Sequence, residues 1–258
     1  MPSSFYHRSK DDEKVATNAV FTEEWRFYIV RKMVKAEIAA VSRLRIVVDG
    51  KGVTTLTAFM SCPLRCRYCL NPQTLTPDGP HRVMTPGELY AEVRKDELYY
   101  LATGGGVTFG GGEPLLRPDF IRAFRSICGP AWKLNAETSL NVPPENVESL
   151  IPIIDHWFID IKDMDGEIYR NYTGRDNARV RGNLLLLADA GLAARCTLRI
   201  PHIPGYNTDT DRDRSVKELE AMGFSVFDRF EYKTDTDGKR KGNMPDAQGD
   251  PPADSQGE

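Results

Sequence analysis

Short apolar runs alternate with longer segments whose apolar residues recur at helical spacing through most of the chain. The short runs predict strands at Leu56–Met60, Gly106–Phe109, Trp132–Glu137, Trp157–Ile161, Ala194–Ile200 and Val226–Tyr232. The longer segments predict helices from Thr85 to about Leu101, then over Pro118–Ile127, Glu145–Ile154, Ala178–Ala190 and Asp211–Met222. Several ends carry their own signals. Thr85 can cap a helix, Pro86 suits its first turn, and Glu88 completes a capping box. Gly129 and Gly191 stand where helices commonly close. Six strands in strict alternation with helices predict a parallel sheet with right-handed crossovers, either open or closed into a barrel. In both architectures the chemistry gathers at the C-terminal ends of the strands.

The two ends of the chain break this pattern. Residues 1–20 are polar, and Phe21–Ala40 has apolar positions at roughly helical spacing, which predicts a helix or helical hairpin. From Thr234 onward Gly, Pro, Asp and Lys dominate, and the segment has too little apolar surface to offset its ordering entropy. The expected organisation is an N-terminal extension over 1–44, a core over 45–233 and a disordered tail over 234–258. Composition then narrows the function classes. The 258 residues are 40% hydrophobic and 28% charged with a net charge of −3, and no basic stripe points to nucleic acid. The start, Met1 to Lys14, lacks the apolar stretch of a secretion signal, and the longest apolar run, Leu184–Ala188, is too short to span a bilayer. The chain therefore reads as cytoplasmic with no membrane partner, and in that compartment its five cysteines argue against a disulfide framework.

Three of those cysteines follow the first strand as Cys62, Cys66 and Cys69, with spacing C-x3-C-x2-C. Three thiolates suit an iron–sulfur cluster with one iron left open, since most clusters take four. Zinc is the alternative, but structural zinc usually has four ligands in paired C-x2-C form, and a fourth would have to come from His81 or His202. Cys128 and Cys196 are isolated and read as ordinary buried cysteines. After the second strand, glycines from Gly104 to Gly112 end on Glu113, a backbone that a ligand can approach closely beside a carboxylate that can take an ammonium. Many turns are glycine-rich, so this motif alone is weak. Glu137 and Thr138 follow the third strand, Asp160 and Lys162 sit at the end of the fourth, and Arg199 near the end of the fifth. Each charge alone fits a structural ion pair equally well. Their shared place at successive strand ends predicts a common site.

The cysteine motif with Tyr68 before its last Cys, followed by Gly111-Gly112-Glu113, resembles the signature of the radical S-adenosylmethionine (SAM) superfamily. Within it, Val48–Phe59 leading into Cys-Pro-Leu-Arg-Cys, Gly104-Gly-Gly-Val-Thr, Phe158-Ile-Asp-Ile-Lys, Tyr172-Thr-Gly and Arg199-Ile-Pro-His-Ile-Pro-Gly-Tyr-Asn resemble the activating enzymes of glycyl radical enzymes, of the pyruvate formate-lyase activating type. The resemblance implies a partial (β/α)6 TIM-like barrel. It implies that Cys62, Cys66 and Cys69 hold a [4Fe–4S] cluster whose fourth iron binds SAM. Gly111, Gly112 and Glu113 would hold the SAM amino group, Tyr68 would lie beside the adenine with Asn71 close by, and Lys162 and Arg199 would meet the carboxylate or ribose. Glu137, Thr138 and Asp160 match positions that help bind SAM and a monovalent cation.

The implied reaction is reductive cleavage of SAM to a 5′-deoxyadenosyl radical that takes a hydrogen from a glycine of a partner glycyl radical enzyme. A flavodoxin or ferredoxin-type donor would supply the electron. Departures from the pattern are Glu137 where Asp is usual, Leu70 where His follows the last cysteine, Glu231-Tyr232-Lys233 where Pro-Tyr-His is typical, and the absence of the helix that normally follows that strand. No cysteine-bearing insert lies between Leu70 and Gly106, so a single cluster is expected. Two other functions fit the same residues: a radical SAM enzyme acting on a peptide or small molecule, and a non-enzymatic zinc or iron–sulfur module. Deleting Thr234–Glu258 is expected to leave both the thermal midpoint and 5′-deoxyadenosine formation unchanged. Loss of either would show that the tail packs.

Overall fold

The computed structural model describes residues 34–232. The predicted tail and the Phe21–Met33 part of the predicted N-terminal helix lie outside these residues. The strands are β1 Ala36–Ile46, β2 Val53–Phe59, β3 Arg82–Met84, β4 Gly106–Gly111, β5 Lys133–Thr138, β6 His156–Asp160, β7 Cys196–His202 and β8 Phe227–Glu231. They form one sheet in the order β3-β1-β2-β4-β5-β6-β7-β8. From β2 to β8 every pairing is parallel, and only β1 pairs antiparallel, with β2 and with β3. The six predicted strands are thus the parallel six, and the architecture is the partial TIM-like barrel expected.

The helices are α1 Pro86–Val93, α2 Glu97–Thr103, α3 Pro118–Cys128, α4 Pro144–Leu150, α5 Gly166–Thr173, α6 Ala178–Asp189 and α7 Asp209–Ala221. The capping box at Thr85 and Glu88 is present. The single helix expected to run on to Leu101 is instead interrupted by a 3-10 turn at Arg94–Asp96. There the buried Asp96 carboxylate takes two bonds of 2.6 Å from the Arg43 guanidinium on β1. A second correction concerns the N-terminal segment. Ala36–Ala40 is strand, not helix, because Ala36 and Ile38 alternate with Glu37 and pair against β2 and β3. The sheet therefore begins upstream of Arg45.

Strand pleating sorts the residues that matter. Leu134 and Ala136 of β5, Trp157 and Ile159 of β6, and Cys196 and Leu198 of β7 are all fully buried in the core cluster that packs under the helices. Their neighbours Asn135, Glu137, Phe158, Asp160 and Arg199 face the other way, since successive strand side chains alternate. The register sets Glu137 beside Phe158 and Asp160 beside Arg199. The concave side is therefore polar by construction, while the convex side carries the apolar core. Thr85→Ala removes the hydroxyl that accepts the Glu88 N–H. It should cost about 1 kcal/mol and lower the thermal midpoint by roughly 2–4 °C, with Thr85→Ser near wild type. An unchanged midpoint for Thr85→Ala would remove the capping box from the stability of α1.

Candidate active site

At the end of β2 the chain turns sharply at Ser61, a non-glycine residue with φ of 70°. Residues held in this region are strained and persist only when their surroundings fix them. Here the Ser61 N–H donates to the Thr74 carbonyl, and the Ser61 carbonyl accepts from the Glu113 N–H. This turn directs the chain from the strand into the cysteine loop. The loop lies on the end of α5, with the N–H groups of Arg65 and Arg67 donating to the carbonyls of Thr173 and Tyr172.

Cys62, Cys66 and Cys69 line one cleft of about 170 Å³ together with Asn71, Gly111, Gly112, Glu137, Thr138, Asp160, Lys162 and Arg199. The structure thus brings together eleven of the thirteen residues that sequence singled out, and leaves Tyr68 and Glu113 off the cleft wall. His81 and His202 also lie off it, so neither completes a zinc set there. Cys196 is buried in the core and Cys128 packs against its edge, as free thiols do.

The two glycines of the cleft are required sterically. A Cβ on Gly112 would sit 2.2 Å from the Ser61 carbonyl oxygen, and one on Gly111, whose φ is 93°, would sit 2.6 Å from Ala58 Cβ. Their bare backbone is what lets the β4 turn press against the entry to the cysteine loop. Asn71 adds a tie, donating from Nδ2 to the Gly111 carbonyl at 3.2 Å.

Glu113 sits beneath this turn, fully buried. Its carboxylate accepts from Thr138 Oγ1 at 2.7 Å, Ser139 Oγ at 2.7 Å, Ser139 N at 2.9 Å and Leu115 N at 3.2 Å. Burial pushes its carboxyl pKa up, against the pull of these donors. Sequence led us to expect this carboxylate at a ligand ammonium; in this structure both of its oxygens are engaged inside the protein. What the motif presents to the cleft is the backbone of Gly111 and Gly112.

The remaining charges form a ring across the ends of β5 to β8. Arg199 donates to Glu137 at 2.8 Å, lies 3.9 Å from Asp160, and stacks 4.8 Å above the Phe158 ring. Lys162, only 7% exposed, donates to Asp160 at 3.1 Å and to Tyr232 Oη at 3.3 Å. Burial alone would lower the Lys162 pKa, but Asp160 foremost among its neighbours outweighs it and holds the ammonium well above its ordinary value. Burial pushes the Glu137 carboxyl up, with Arg199 opposing. Tyr232 and Ser139 are the participants that sequence reading missed. Ser139 follows a predicted strand by two residues and Tyr232 closes one, which was the available signal. Tyr68 stands beside the cleft in an aromatic group, its ring 6.1 Å from Tyr172 and 5.9 Å from Tyr206, with its hydroxyl donating to the Pro204 carbonyl.

The donor set fits an iron–sulfur cluster. Burial pushes the thiols of Cys62 and Cys66 up to about 12 and about 11, so thiolates form here only when a cation compensates them. Iron supplies that charge. Among the described residues, no three His, Cys, Asp or Glu side chains converge at the spacing of ligands to a single ion. All three cysteines line the one cleft.

Comparison with known proteins agrees with this geometry. A model of the Radical SAM superfamily matches residues 58–218, more than half of the chain. The pyruvate formate-lyase-activating enzyme of Clostridium pasteurianum is 34% identical over 188 residues, covering 72% of this chain and 76% of that protein. The (2S)-3-sulfopropanediol dehydratase activating enzyme of Klebsiella oxytoca is 29% identical over 222 residues, covering 62% and 69%. Among solved structures, SuiB of Streptococcus suis superposes with a TM-score of 0.54 at 15% identity, a likeness of fold alone. The match covers 72% of this chain and 41% of SuiB. No helix among the described residues is long and apolar enough to cross a membrane.

Glu113→Gln replaces an acceptor oxygen by an NH2 that faces donors. It should cost about 1–3 kcal/mol and lower the thermal midpoint of the cluster-free protein by several degrees. A midpoint equal to wild type would show that the carboxylate does not brace the turn.

Proposed function

We propose, because the chain belongs to the radical SAM superfamily, that it cleaves SAM reductively and installs a glycyl radical on a partner enzyme. The observation that carries the reading is the meeting of three cysteines, a bare glycine backbone, a buried lysine and a half-buried arginine in one cleft. The relatives support the finer step, since both named above are activating enzymes. When bound, the cluster and SAM supply the chemistry: one electron divides SAM into methionine and a 5′-deoxyadenosyl radical that takes hydrogen from a glycine Cα.

The chain's own residues bind and orient. Cys62, Cys66 and Cys69 hold three irons and leave the fourth open. The backbone of Gly111 and Gly112 receives the SAM ammonium, with Asn71 holding that backbone in place. Lys162 and Arg199 are the cations that the cleft offers to the SAM carboxylate. Tyr68 contributes an aromatic edge for the adenine. Thr138 braces the Glu113 carboxylate from the cleft wall. Glu137 and Asp160 are already paired with Arg199 and Lys162, so their role is to fix those cations, and the monovalent cation forms no part of the reading. Water exclusion follows from the burial of Lys162 and Glu113, and it strengthens every charge contact inside.

Anaerobic reconstitution with iron and sulfide, followed by SAM and dithionite, tests the first half. Wild type should bind about four irons per chain and release 5′-deoxyadenosine. Cys62→Ala, Cys66→Ala and Cys69→Ala should each abolish that release, while Cys128→Ala and Cys196→Ala keep full iron. Full iron in the triple variant of the first three would sink the assignment. The second half rests on mixing the loaded protein with a glycyl radical enzyme encoded beside it. A glycyl doublet in the electron paramagnetic resonance spectrum is expected, and its absence despite SAM cleavage would move the substrate elsewhere.

A further inference from the structure

The cysteine loop has two faces of opposite character. Its thiols line the cleft, whereas Arg65 and Arg67, interleaved with them in sequence, do not line it and are exposed. Two more exposed arginines are close in the chain to the end of α5 on which the loop lies, and one of them, Arg175, bonds the loop. Arg175 donates from Nε to the Pro63 carbonyl at 3.3 Å, and Arg65 donates from Nη1 to the carbonyls of Cys62 and Leu64 at 2.7 and 3.0 Å. Arg170 lies one helical turn before Gly174, whose Cβ, if built, would touch Arg65 Cβ at 3.9 Å. Among the described residues, no carboxylate lies within ion-pair distance of Arg65, Arg170 or Arg175, although the whole chain carries a net charge of −3. The nearest acid in sequence, Asp176, is turned to the start of α6, where it accepts from the Ala178 N–H at 3.0 Å. At the rim between this face and the cleft stands Leu70, directly after Cys69 and 78% exposed.

We propose that this arginine face, Arg65, Arg67, Arg170 and Arg175 with the exposed Leu70 of the same loop, is the docking surface for an acidic one-electron carrier protein. The inference rests on the proposed function, which requires one electron from outside for each SAM cleaved. A substrate must enter the cleft, because hydrogen abstraction takes place where the radical forms. An electron has only to come close to the cluster, and the outer face of the loop that carries its ligands is the direct approach. Transient redox encounters bury little area and depend on charge complementarity for their rate, with one or two apolar contacts fixing the register. Exposed guanidiniums and one exposed leucine match that description. In the step itself a reduced carrier loses one electron and the oxidised cluster gains it; no bond forms or breaks.

The test uses reconstituted protein and an acidic flavodoxin as probe. The variant Arg67→Glu/Arg170→Glu reverses two charges and spares the guanidiniums of Arg65 and Arg175 that hold the loop carbonyls. Arg67→Lys/Arg170→Lys keeps the charge. At about 50 mM salt, where the Debye length exceeds roughly 10 Å, the glutamate variant should bind flavodoxin about ten-fold or more weakly. Its cluster should be reduced by flavodoxin hydroquinone slower by a similar factor, since steering is worth on the order of ten- to a thousand-fold in rate. The lysine variant should stay within about two-fold of wild type, and high salt should erase the difference. Iron content and reduction by dithionite, which needs no docking, should be equal in all three. Unchanged flavodoxin affinity and reduction in the glutamate variant would overturn the proposal. So would normal reduction by flavodoxin with a lost glycyl radical, which would assign the face to the substrate protein. A wild type that binds flavodoxin and accepts its electron but cleaves no SAM would fail the proposed function alone.

Discussion

The buried carboxylate of Glu113 is the constraint on which the cleft depends. Its main chain bonds the turn at Ser61, which starts the cysteine loop, and its side chain bonds Thr138 and Ser139, which end β5. One residue therefore fixes three strand ends relative to one another. Burying a carboxylate is expensive unless its oxygens are satisfied, and here four donors satisfy it. The geometry is consequently stiff: a shift of any one strand end would strand a buried charge. Stiffness at this point matters because the strained Ser61 turn beside it, and the glycines that press on that turn, are held in register by few other bonds, chiefly those to Thr74, Phe59 and Asn71.

The same principle runs through the rest of the concave side. Glu137, Arg199, Asp160 and Lys162 are two acids and two bases spread over the ends of three strands, and each acid is bonded to a base. Buried ion pairs of this kind contribute little to stability once desolvation is counted. Their value lies in specificity of position. With Phe158 under its guanidinium and Glu137 at its side, Arg199 has little freedom to wander. A cofactor entering the cleft finds cations already oriented, and the cost of ordering them has been met during folding.

Much of this was legible in the sequence because parallel strands buried on their convex side alternate cleanly. His-Trp-Phe-Ile-Asp in β6 states both which residues are core and which face the site. The spacing of the cysteines and the place of the charges at successive strand ends were likewise readable. What was not readable depended on pairing partners far away in sequence. Ala36–Ala40 fits helical spacing as well as strand alternation, and only its register against β2 and β3 decides the matter. The helix expected from Thr85 to Leu101 is broken where a buried Asp96 meets an arginine from β1. Helix α5 did announce itself, with Asp165 as its cap and Gly174 at its end, but its polar composition hid it. The internal bonds of Glu113 were hidden for the same reason: a motif names a residue, while the donors to its oxygens come largely from the end of another strand.

The division between the two faces of the cysteine loop follows from this economy of partners. Inside the cleft the charged side chains are committed to one another, so the interior has little left with which to discriminate one protein partner from another. Tyr232, which bonds Lys162, stands at the edge of the ring, and it is followed directly by a residue that departs from the activating-enzyme pattern. Leu70, another departure, is exposed where it lines the cleft. Partner choice is therefore expected to reside in residues outside the cleft, where side chains face solvent, and the chemistry in residues inside it, where the charged side chains are held in place by one another.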